Sequence, residues 1–462
     1  MIKTLEQKNN KFERLCQFFL SLFLFFVPWQ TVFLIKEQFL NGAKWQYGTI
    51  VFFLSEIILW ALFFSFFIWF LSKRKIFEKG VIAFEWTIDR SFVFSLFLFL
   101  IYCFSSALWS NDSGVAFVHA FFVLESVLLF LVFLIFPFSW KTSLQWFLFG
   151  ACIQSLLGIW QFFTQSTVAF KWLGLVAHRV MESGTSVIVG DEIGRVLRSY
   201  GAFSHPNVFG GYLVIAIALT ILFLWQEKKQ KFWWYALIAL EFLAVLLTFS
   251  RSSWIAGAVL VSGFFMFWIF RRKKNIDLNL SFIPKITILF FSIGVIFCFF
   301  ALPLIQNRII GSSSHEIRSI NERISGSKEA FEIFQQHPFF GVGIGNYTAA
   351  TAELNPGKPG YEYQPVHNVA LLLLAELGLF GVFLISFIFF RLQKLFVFFE
   401  SEQKKNFSLF FGLFLLIFVL LGSFDHYLFS SYIGLLLGMI FFGFCFRFFT
   451  QVFPSLSRKS RP

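Results

Sequence analysis

The sequence predicts an all-α, polytopic integral membrane protein with about 12 transmembrane helices and a large, partly helical extracytoplasmic loop between helices 9 and 10. Hydrophobic residues make up 58% of the 462 residues and charged residues only 14%, whereas a soluble domain carries about 25% charged residues. The mean hydropathy is +0.74. Apolar stretches that approach the roughly 20 residues needed to cross a bilayer recur along the chain. We place them at 15–35, 48–71, 91–109, 115–136, 143–163, 208–226, 232–249, 252–270, 285–305, 367–390, 406–424 and 428–450.

The distribution of positive charge predicts the topology. Of the 38 lysines and arginines, 26 fall in segments that share one side of the membrane if the N-terminus is cytoplasmic. This is the positive-inside pattern. We therefore expect both termini and the segments 72–90, 271–284 and 391–405 to be cytoplasmic, and the two long loops 164–207 and 306–366 to be extracytoplasmic. The net charge of +13 is then a topology signal, and no nucleic-acid partner is expected.

The chain is expected to form a single membrane domain, 1–462, without a cofactor or a metal ion. Its five cysteines fall in or beside apolar segments without metal-ligand spacing, which is typical of small core residues. No Asp-x-Asp pair appears on the predicted outer side, so a metal-dependent glycosyltransferase site is poorly supported. The glycines at 341, 343 and 345 lack the preceding strand and the spacing of a nucleotide-binding fingerprint.

The second long loop has a helical pattern of its own. Apolar residues from Ile320 to Phe334 recur at the helical period and predict an amphipathic helix near 319–336, within the loop 306–366. Such a helix either lies at the membrane surface and roofs a cavity, or merely covers the bundle.

Three polar motifs stand where apolar spans begin at the predicted outer face. A helix that starts there turns its free N–H groups and about half a positive charge outward. Guanidinium groups beside such helix starts form an anion site, and arginine binds phosphate oxygens in a bidentate manner. We therefore expect Arg198 and Arg251 to bind a pyrophosphate, with Asn207 and Ser250 as possible supporting residues. The motifs are the run from Arg198 to Asn207, the run from Thr248 to Arg251, and His367-Asn368.

The third motif supplies a candidate catalytic base. A helix start favours the neutral form of the His367 imidazole, which can accept a proton from a sugar hydroxyl. Asn368 could fix the orientation of the ring. His426, which follows Asp425 in a short outer loop, is the rival base, whereas His205 precedes a proline and is expected to be structural.

Each of these residues also has a plainer interpretation. Arg251 alone could extend to lipid headgroups, Arg198 could pair with an acid of its own loop, and His367 could cap a helix. These interpretations weaken because all three residues stand at the same predicted face, on helices that run in the same direction.

Four acids inside the apolar spans keep a different class of function open. Glu56, Glu125, Glu241 and Glu376 lie where charge is costly and usually functional. A flippase for lipid-linked glycans, or another proton-coupled transporter, would need such acids. They could also be protonated and hydrogen-bonded between helices.

At these motifs the chain resembles the O-antigen ligase and polymerase superfamily of bacterial membrane glycosyltransferases. The resemblance covers roughly 195–385 in detail, and the layout of the spans overall. The matching features, in chain order, are Arg198 with Gly201-Ala202-Phe203 and Pro206-Asn207, the run from Thr248 to Trp254, Asn321-Glu322-Arg323, His337-Pro338 with Gly341-Val342-Gly343, His367-Asn368, and Glu376-Leu377-Gly378 with Gly381.

The resemblance implies a metal-independent, inverting glycosyltransferase of the bacterial plasma (inner) membrane. Such an enzyme takes a glycan from undecaprenyl pyrophosphate and transfers it to an acceptor hydroxyl at the outer face. By position, Arg198 and Arg251 match the pyrophosphate-binding arginines of the family, and His367 matches its proposed base. The acceptor stays open. It is lipid A-core for a ligase, another lipid-linked glycan repeat for a polysaccharide polymerase, and a protein hydroxyl for a protein O-oligosaccharyltransferase.

Overall fold

A computed structural model describes residues 2–78, 90–190, 194–227, 231–273, 280–310, 314–394 and 401–452. It is 75% helical, and the predicted class, an all-α polytopic membrane protein, is confirmed. The predicted cytoplasmic segments 72–90, 271–284 and 391–405 lie partly outside the described residues.

Fifteen α-helices occur in the described part of the chain. They are α1 (Ile2–Phe26), α2 (Leu54–Glu78), α3 (Arg90–Ser105), α4 (Ser113–Ile135), α5 (Trp140–Thr164), α6 (Pro206–Gln226), α7 (Phe232–Leu247), α8 (Arg251–Lys273), α9 (Phe282–Ile310), α10 (Ser314–Gln336), α11 (Tyr347–Leu354), α12 (Val369–Lys394), α13 (Ser401–Phe424), α14 (Tyr427–Ser430) and α15 (Tyr432–Val452).

Nine of these helices are long and apolar enough to cross a membrane, counted over the described residues. They are α2 to α6, α8, α9, α12 and α15. The apolar parts of α7 and α13 are shorter, at Phe232–Leu247 and Leu409–Phe424. A helix overlaps each of the twelve predicted spans, but the count of twelve transmembrane helices stays a prediction.

Two predicted boundaries are wrong: the end of the first span, 15–35, and the start of the second, 48–71. Helix α1 ends at Phe26, and the apolar residues that follow form strand β1 (Val32–Lys36). This strand pairs in antiparallel fashion with β4 (Ile50–Phe53), directly before α2. Hydropathy alone does not separate a short apolar strand from the end of a helix, which explains the error.

Two further pairs of short strands occur in the described part of the chain. A small antiparallel pair, β2 (Phe39–Leu40) and β3 (Ala43–Lys44), lies between β1 and β4. In the first long loop, β5 (Val187–Gly190) pairs with β6 (Gly194–Leu197). Arg198 follows β6 directly, so this strand pair positions the first of the two predicted arginines.

Helix α6 occupies the centre of the bundle. It is apolar on all sides and its whole spanning window is buried, as expected for a core helix. It packs against α5, α7, α8 and α15. Its first turn, which carries Asn207, is also buried. We call this end of α6, and the residues around it, the site end.

In the second long loop, α10 leaves most of its apolar stripe uncovered. Helix α9 continues to Ile310, beyond the predicted start of the loop at 306, and α10 begins at Ser314, before the predicted 319. Ala330 and Ile333 of α10 are buried against a small core that includes Val366. Ile320 and Ile324 remain exposed. The face that packs on the protein is therefore a different one from the predicted stripe.

Glu376 of α12 binds the glycine-rich turn at 341–345. Its carboxylate accepts hydrogen bonds from the N–H groups of Gly345 at 2.8 Å and Tyr347 at 3.3 Å. Gly341 has a φ of +65°, and a Cβ there would lie 2.4 Å from the backbone of Glu376, so only glycine fits. Helix α12 departs from helical geometry at Gly378, where the same turn packs.

Candidate active site

The site end is built around the first turn of α6. Pro206 occupies this turn, and His205 caps the helix because its Nδ1 accepts a hydrogen bond from the Asn207 N–H at 3.1 Å. The side chain of Asn207 stands between two charged groups. Its Oδ1 accepts a hydrogen bond from Arg198 Nη2 at 2.7 Å, and its Nδ2 donates one to Asp425 Oδ2 at 2.7 Å. Asn207 therefore bridges the predicted arginine to a carboxylate.

Arg198 is held by several segments at once. Besides Asn207, its guanidinium donates from Nε to the Thr248 carbonyl at 2.7 Å and from Nη1 to Ser186 Oγ at 2.8 Å. The residue is only 4% exposed, and a buried charge is tolerated only with such hydrogen bonds. Arg198 thus joins the first long loop, α6 and the turn that precedes α8.

A third arginine acts on the same turn. Phe249 has a φ of +49°, which is uncommon for a residue other than glycine. Its carbonyl accepts a hydrogen bond from Arg308 Nε at 2.9 Å, next to the Thr248 carbonyl that Arg198 holds. Arg251, the first residue of α8, donates from Nη1 to the Arg308 carbonyl at 3.5 Å. Two buried arginines therefore fix successive carbonyls of the turn that presents Arg251.

Ser250 belongs to a chain of hydroxyls beneath this turn. Its Oγ lies 3.1 Å from Ser252 Oγ and accepts a hydrogen bond from Ser253 Oγ at 3.0 Å. A Cβ at Gly210 would stand 2.4 Å from Ser253 Oγ. The close approach of α6 and α8 therefore depends on that glycine.

His367 faces Asp425 from the start of α12. Its Nδ1 lies 3.5 Å from Asp425 Oδ1, within ion-pair distance. Nδ1 is buried and makes no hydrogen bond within the described part of the chain. The side chain is nevertheless 27% exposed, so the exposure belongs to its other atoms.

Asn368 caps α12 and does not orient the imidazole in the way we expected. Its Oδ1 accepts a hydrogen bond from the Leu371 N–H at 3.1 Å, and its Nδ2 donates to the Ser423 carbonyl at 3.4 Å. Both contacts fix the start of the helix, as a cap does. The neighbour that can orient the His367 ring is Asp425.

Asp425 is a buried carboxylate that stays ionised. Burial by itself raises its pKa, but the contact with His367 and the electrostatic interactions with the imidazoles of His426, His367 and His205 outweigh burial and hold the pKa well below its usual range. Hydrogen bonds from Asn207 Nδ2 at 2.7 Å and from the His426 N–H at 2.8 Å also favour the charged form.

His426, the predicted rival base, lies in the same cluster. The centroid of its ring is 5.1 Å from that of His367, and its Nε2 is 3.9 Å from Asp425 Oδ1. Burial lowers the pKa of His426 to about 4, against the opposing effect of Asp425. Its Nδ1 lies 2.6 Å from Ser430 Oγ. The ring is therefore neutral at pH 7, but it is pinned on one side. Tyr47 packs edge-on against its ring at 5.9 Å.

His205 has the structural role that we expected from the sequence. Burial, together with the charge of Arg198, lowers its pKa to about 3. Its Nδ1 serves the helix cap, and its Nε2 lies 3.4 Å from Ser186 Oγ.

Two residues that the sequence analysis did not assign to the site, Asp425 and Arg308, connect most of the residues that it did assign. Asp425 links Arg198 and Asn207 to both histidines. Arg308 links the Arg251 turn to α9. The available signals were a lone aspartate beside a histidine in a short loop predicted to be outer, and an arginine at the predicted outer end of a long apolar span, where the positive-inside pattern disfavours one.

One group of side chains has the composition of a metal site. His367, Asp425 and His426 each offer one ligand atom, and these atoms lie within 4.8 Å of one another. Two imidazole nitrogens and a carboxylate oxygen are ligands that zinc accepts.

Comparison with known proteins identifies the central part of the chain. Residues 234–386 match the family model described as O-Antigen ligase. The match contains Arg251, Arg308 and His367, while Arg198 and Asp425 lie on either side of it. No curated protein matches the chain. Residues 234–386 therefore carry an O-antigen ligase domain, which supports the O-antigen ligase and polymerase superfamily and indicates a membrane glycosyltransferase-like enzyme with activity of the ligase or polymerase kind.

Proposed function

We propose that the protein transfers a glycan from undecaprenyl pyrophosphate to an acceptor hydroxyl at the outer face of the bacterial plasma membrane, in the manner of an O-antigen ligase. The observation that carries this proposal is the continuous link from Arg198 through Asn207 and Asp425 to His367. It joins a candidate base and a buried cation in one network beside the first turns of α6 and α12.

His367 is the proposed base. The Asp425 carboxylate beside Nδ1 favours the tautomer that carries its proton on that nitrogen, which leaves the lone pair on Nε2. Nε2 accepts the proton of the acceptor hydroxyl as its oxygen attacks the anomeric carbon. The imidazolium that forms is stabilised by the Asp425 charge at 3.5 Å.

The bond from the anomeric carbon to the pyrophosphate oxygen breaks in the same step. Attack from the face opposite the leaving group inverts the anomeric centre. The electron pair moves to the leaving pyrophosphate, whose charge grows, so fixed cations stabilise the transition state more than the ground state. This division of labour between base and cations requires no metal ion.

The two predicted arginines divide the binding of the pyrophosphate. Arg251 is half-buried at the N-terminus of α8, and we assign it the direct contact with the phosphate oxygens. Arg198 is more deeply buried and holds Asn207 and the 248–250 turn. Its positive charge stabilises the pyrophosphate without direct contact, and through Asn207 and Asp425 it positions the His367 ring.

The acids in the apolar spans weigh against the transporter alternative. Glu376 holds backbone N–H groups of the glycine-rich turn. Glu56 accepts from the Phe53 N–H at 2.7 Å, and Glu125 from Trp60 Nε1 at 2.5 Å. Glu241 lies 3.2 Å from Thr220 Oγ1. Each acid therefore has at least one partner within the fold, although Glu125 Oε2 is buried and makes no hydrogen bond within the described residues.

The test is glycan transfer in detergent, where no second leaflet exists and flipping cannot be scored. Purified protein, EDTA, undecaprenyl-pyrophosphate glycan and a panel of acceptors should give a transferred glycan and free lipid pyrophosphate. A lipid A-core acceptor indicates a ligase, a second lipid-linked repeat a polymerase, and a protein hydroxyl a protein O-oligosaccharyltransferase. Flipping in proteoliposomes without any transfer in detergent would support the transporter class and reject the proposal.

A further inference from the structure

We propose that His367, Asp425 and His426 form a binding site for a divalent transition-metal ion such as Zn²⁺, and that the bound ion switches the transferase off. The binding half of this proposal stands on the geometry of the three side chains. The inhibitory half rests on the proposed function of His367 as the base.

The three ligand atoms already stand near the spacing of a zinc site. Asp425 Oδ1 lies 3.5 Å from His367 Nδ1 and 3.9 Å from His426 Nε2, and all three atoms fall within 4.8 Å of one another. A tetrahedral zinc ion with bonds of about 2.0–2.1 Å separates its ligands by roughly 3.4 Å. Imidazole nitrogens select transition metals over magnesium and calcium, which prefer oxygen ligands.

Neighbouring groups orient two of the three ligands. Asn207 Nδ2 donates to the other oxygen of Asp425 at 2.7 Å. The Ser430 hydroxyl donates to the His426 carbonyl at 3.1 Å, so its oxygen can accept the Nδ1 proton of His426 at 2.6 Å. In the tautomer in which Nδ1 donates to Ser430 Oγ, the lone pair of His426 is on Nε2, which faces Asp425. Such outer partners fix the ring orientation and the tautomer of metal-binding histidines.

The arrangement leaves a place for a cation. A bare His426 nitrogen and a carboxylate oxygen that face each other repel unless a proton or a metal ion lies between them. His367 Nδ1, which is buried and makes no hydrogen bond within the described residues, faces the same oxygen. One ion at this point would contact all three atoms, including Asp425 Oδ1, which also accepts a hydrogen bond from the His426 N–H at 2.8 Å.

Binding of the ion would remove the base. Coordination uses the lone pair of His367 Nδ1, so the remaining ring proton must lie on Nε2. Nε2 then cannot accept the proton of the acceptor hydroxyl. The arginines that hold the pyrophosphate are not ligands, so donor binding should survive while transfer stops.

The experiment uses full-length protein freed of metal with EDTA and then dialysed. Zn²⁺ binding is measured by calorimetry, and Co²⁺ absorption serves as the probe of coordination geometry. Wild type should bind one Zn²⁺, show tetrahedral Co²⁺ absorption, and lose at least about 10-fold in transfer rate. His426→Gln should bind Zn²⁺ at least about 10-fold more weakly. The zinc concentration that halves the transfer rate of this variant should be higher than for wild type by the same factor.

The control is His337→Gln, which removes an exposed histidine outside the cluster and should bind zinc like wild type. His426→Asn serves as a second variant if the first unfolds on heating at a lower temperature than wild type. Equal zinc binding in wild type and a folded His426 variant would overturn the site. Binding without loss of transfer would overturn the switch. Inactive protein after EDTA treatment, restored by zinc, would instead reject the metal-free mechanism, so failure of the two proposals can be told apart.

Discussion

Replacement of Asp425 by asparagine is the most informative single change, because it removes a charge and preserves the shape of the side chain. In the proposed reaction, the His367 ring becomes positively charged 3.5 Å from Asp425 Oδ1. Two unit charges at that distance attract by about 4–5 kcal/mol at an effective dielectric constant near 20. Because the His367 side chain is 27% exposed, solvent screening reduces this to about 2–4 kcal/mol.

That energy predicts a loss of about 30-fold to 1,000-fold in kcat for Asp425→Asn. The KM for the donor should change by less than about 3-fold, since the carboxylate does not contact the pyrophosphate in our assignment. Initial rates of transfer from purified lipid-linked glycan, measured over a range of donor concentrations, separate the two parameters. Glu182→Gln removes an exposed loop carboxylate and is the matched control. A kcat within about 2-fold of wild type in Asp425→Asn would refute the orienting and charge-stabilising role of Asp425.

The remaining predictions concern the base, the cations and the topology. His367→Ala should lower the transfer rate by about 10²–10⁴-fold while donor binding persists; full activity would reject it as the base. Arg251→Ala should weaken donor binding by about 10-fold to 150-fold, with only partial rescue by lysine, and equal binding would remove the arginine from the pyrophosphate site. Arg308→Gln should also weaken binding of the glycan donor, because the Phe249 carbonyl loses its hydrogen bond from Arg308. Unchanged binding would show that the 248–250 turn keeps its conformation without Arg308. In a variant without native cysteines, an impermeant thiol reagent should label exposed Ser183→Cys and spare exposed Ser139→Cys, and the reverse pattern would invert the topology.

The fold class could be predicted because it depends on local signals, and the same signals mark the residues of the candidate site. Apolar length determines which segments become helices, and the few polar motifs that interrupt them mark where helices begin. Arg251 is the first residue of α8 and His367 lies two residues before α12, whereas Arg198 follows β6 and contacts the first turn of α6 through Asn207. The ends of the first two spans were missed because Val32–Lys36 and Ile50–Phe53 pair as strands with the hydropathy of a helix.

The connections within the site could not be predicted, because they join distant parts of the chain. Asp425 meets Asn207 across 218 positions, and Arg308 meets Phe249 across 59. No periodic pattern records such contacts. Glu376 is a second example. From the sequence, this acid in an apolar span left both a transport role and a structural role open, and its carboxylate accepts hydrogen bonds from backbone N–H groups 31 and 29 positions earlier.

The central claim is that this site transfers a glycan with inversion, with His367 as the base and without a metal ion. The most direct measurement is a transfer assay in detergent and EDTA with an anomerically pure donor, in which the new linkage is assigned by NMR and the released lipid pyrophosphate is quantified. The account predicts one lipid pyrophosphate for each inverted linkage in wild type, and a transfer rate about 10²–10⁴-fold lower with His367→Gln while donor binding remains. Retention of the anomeric configuration, or an absolute requirement for a metal ion, would contradict it.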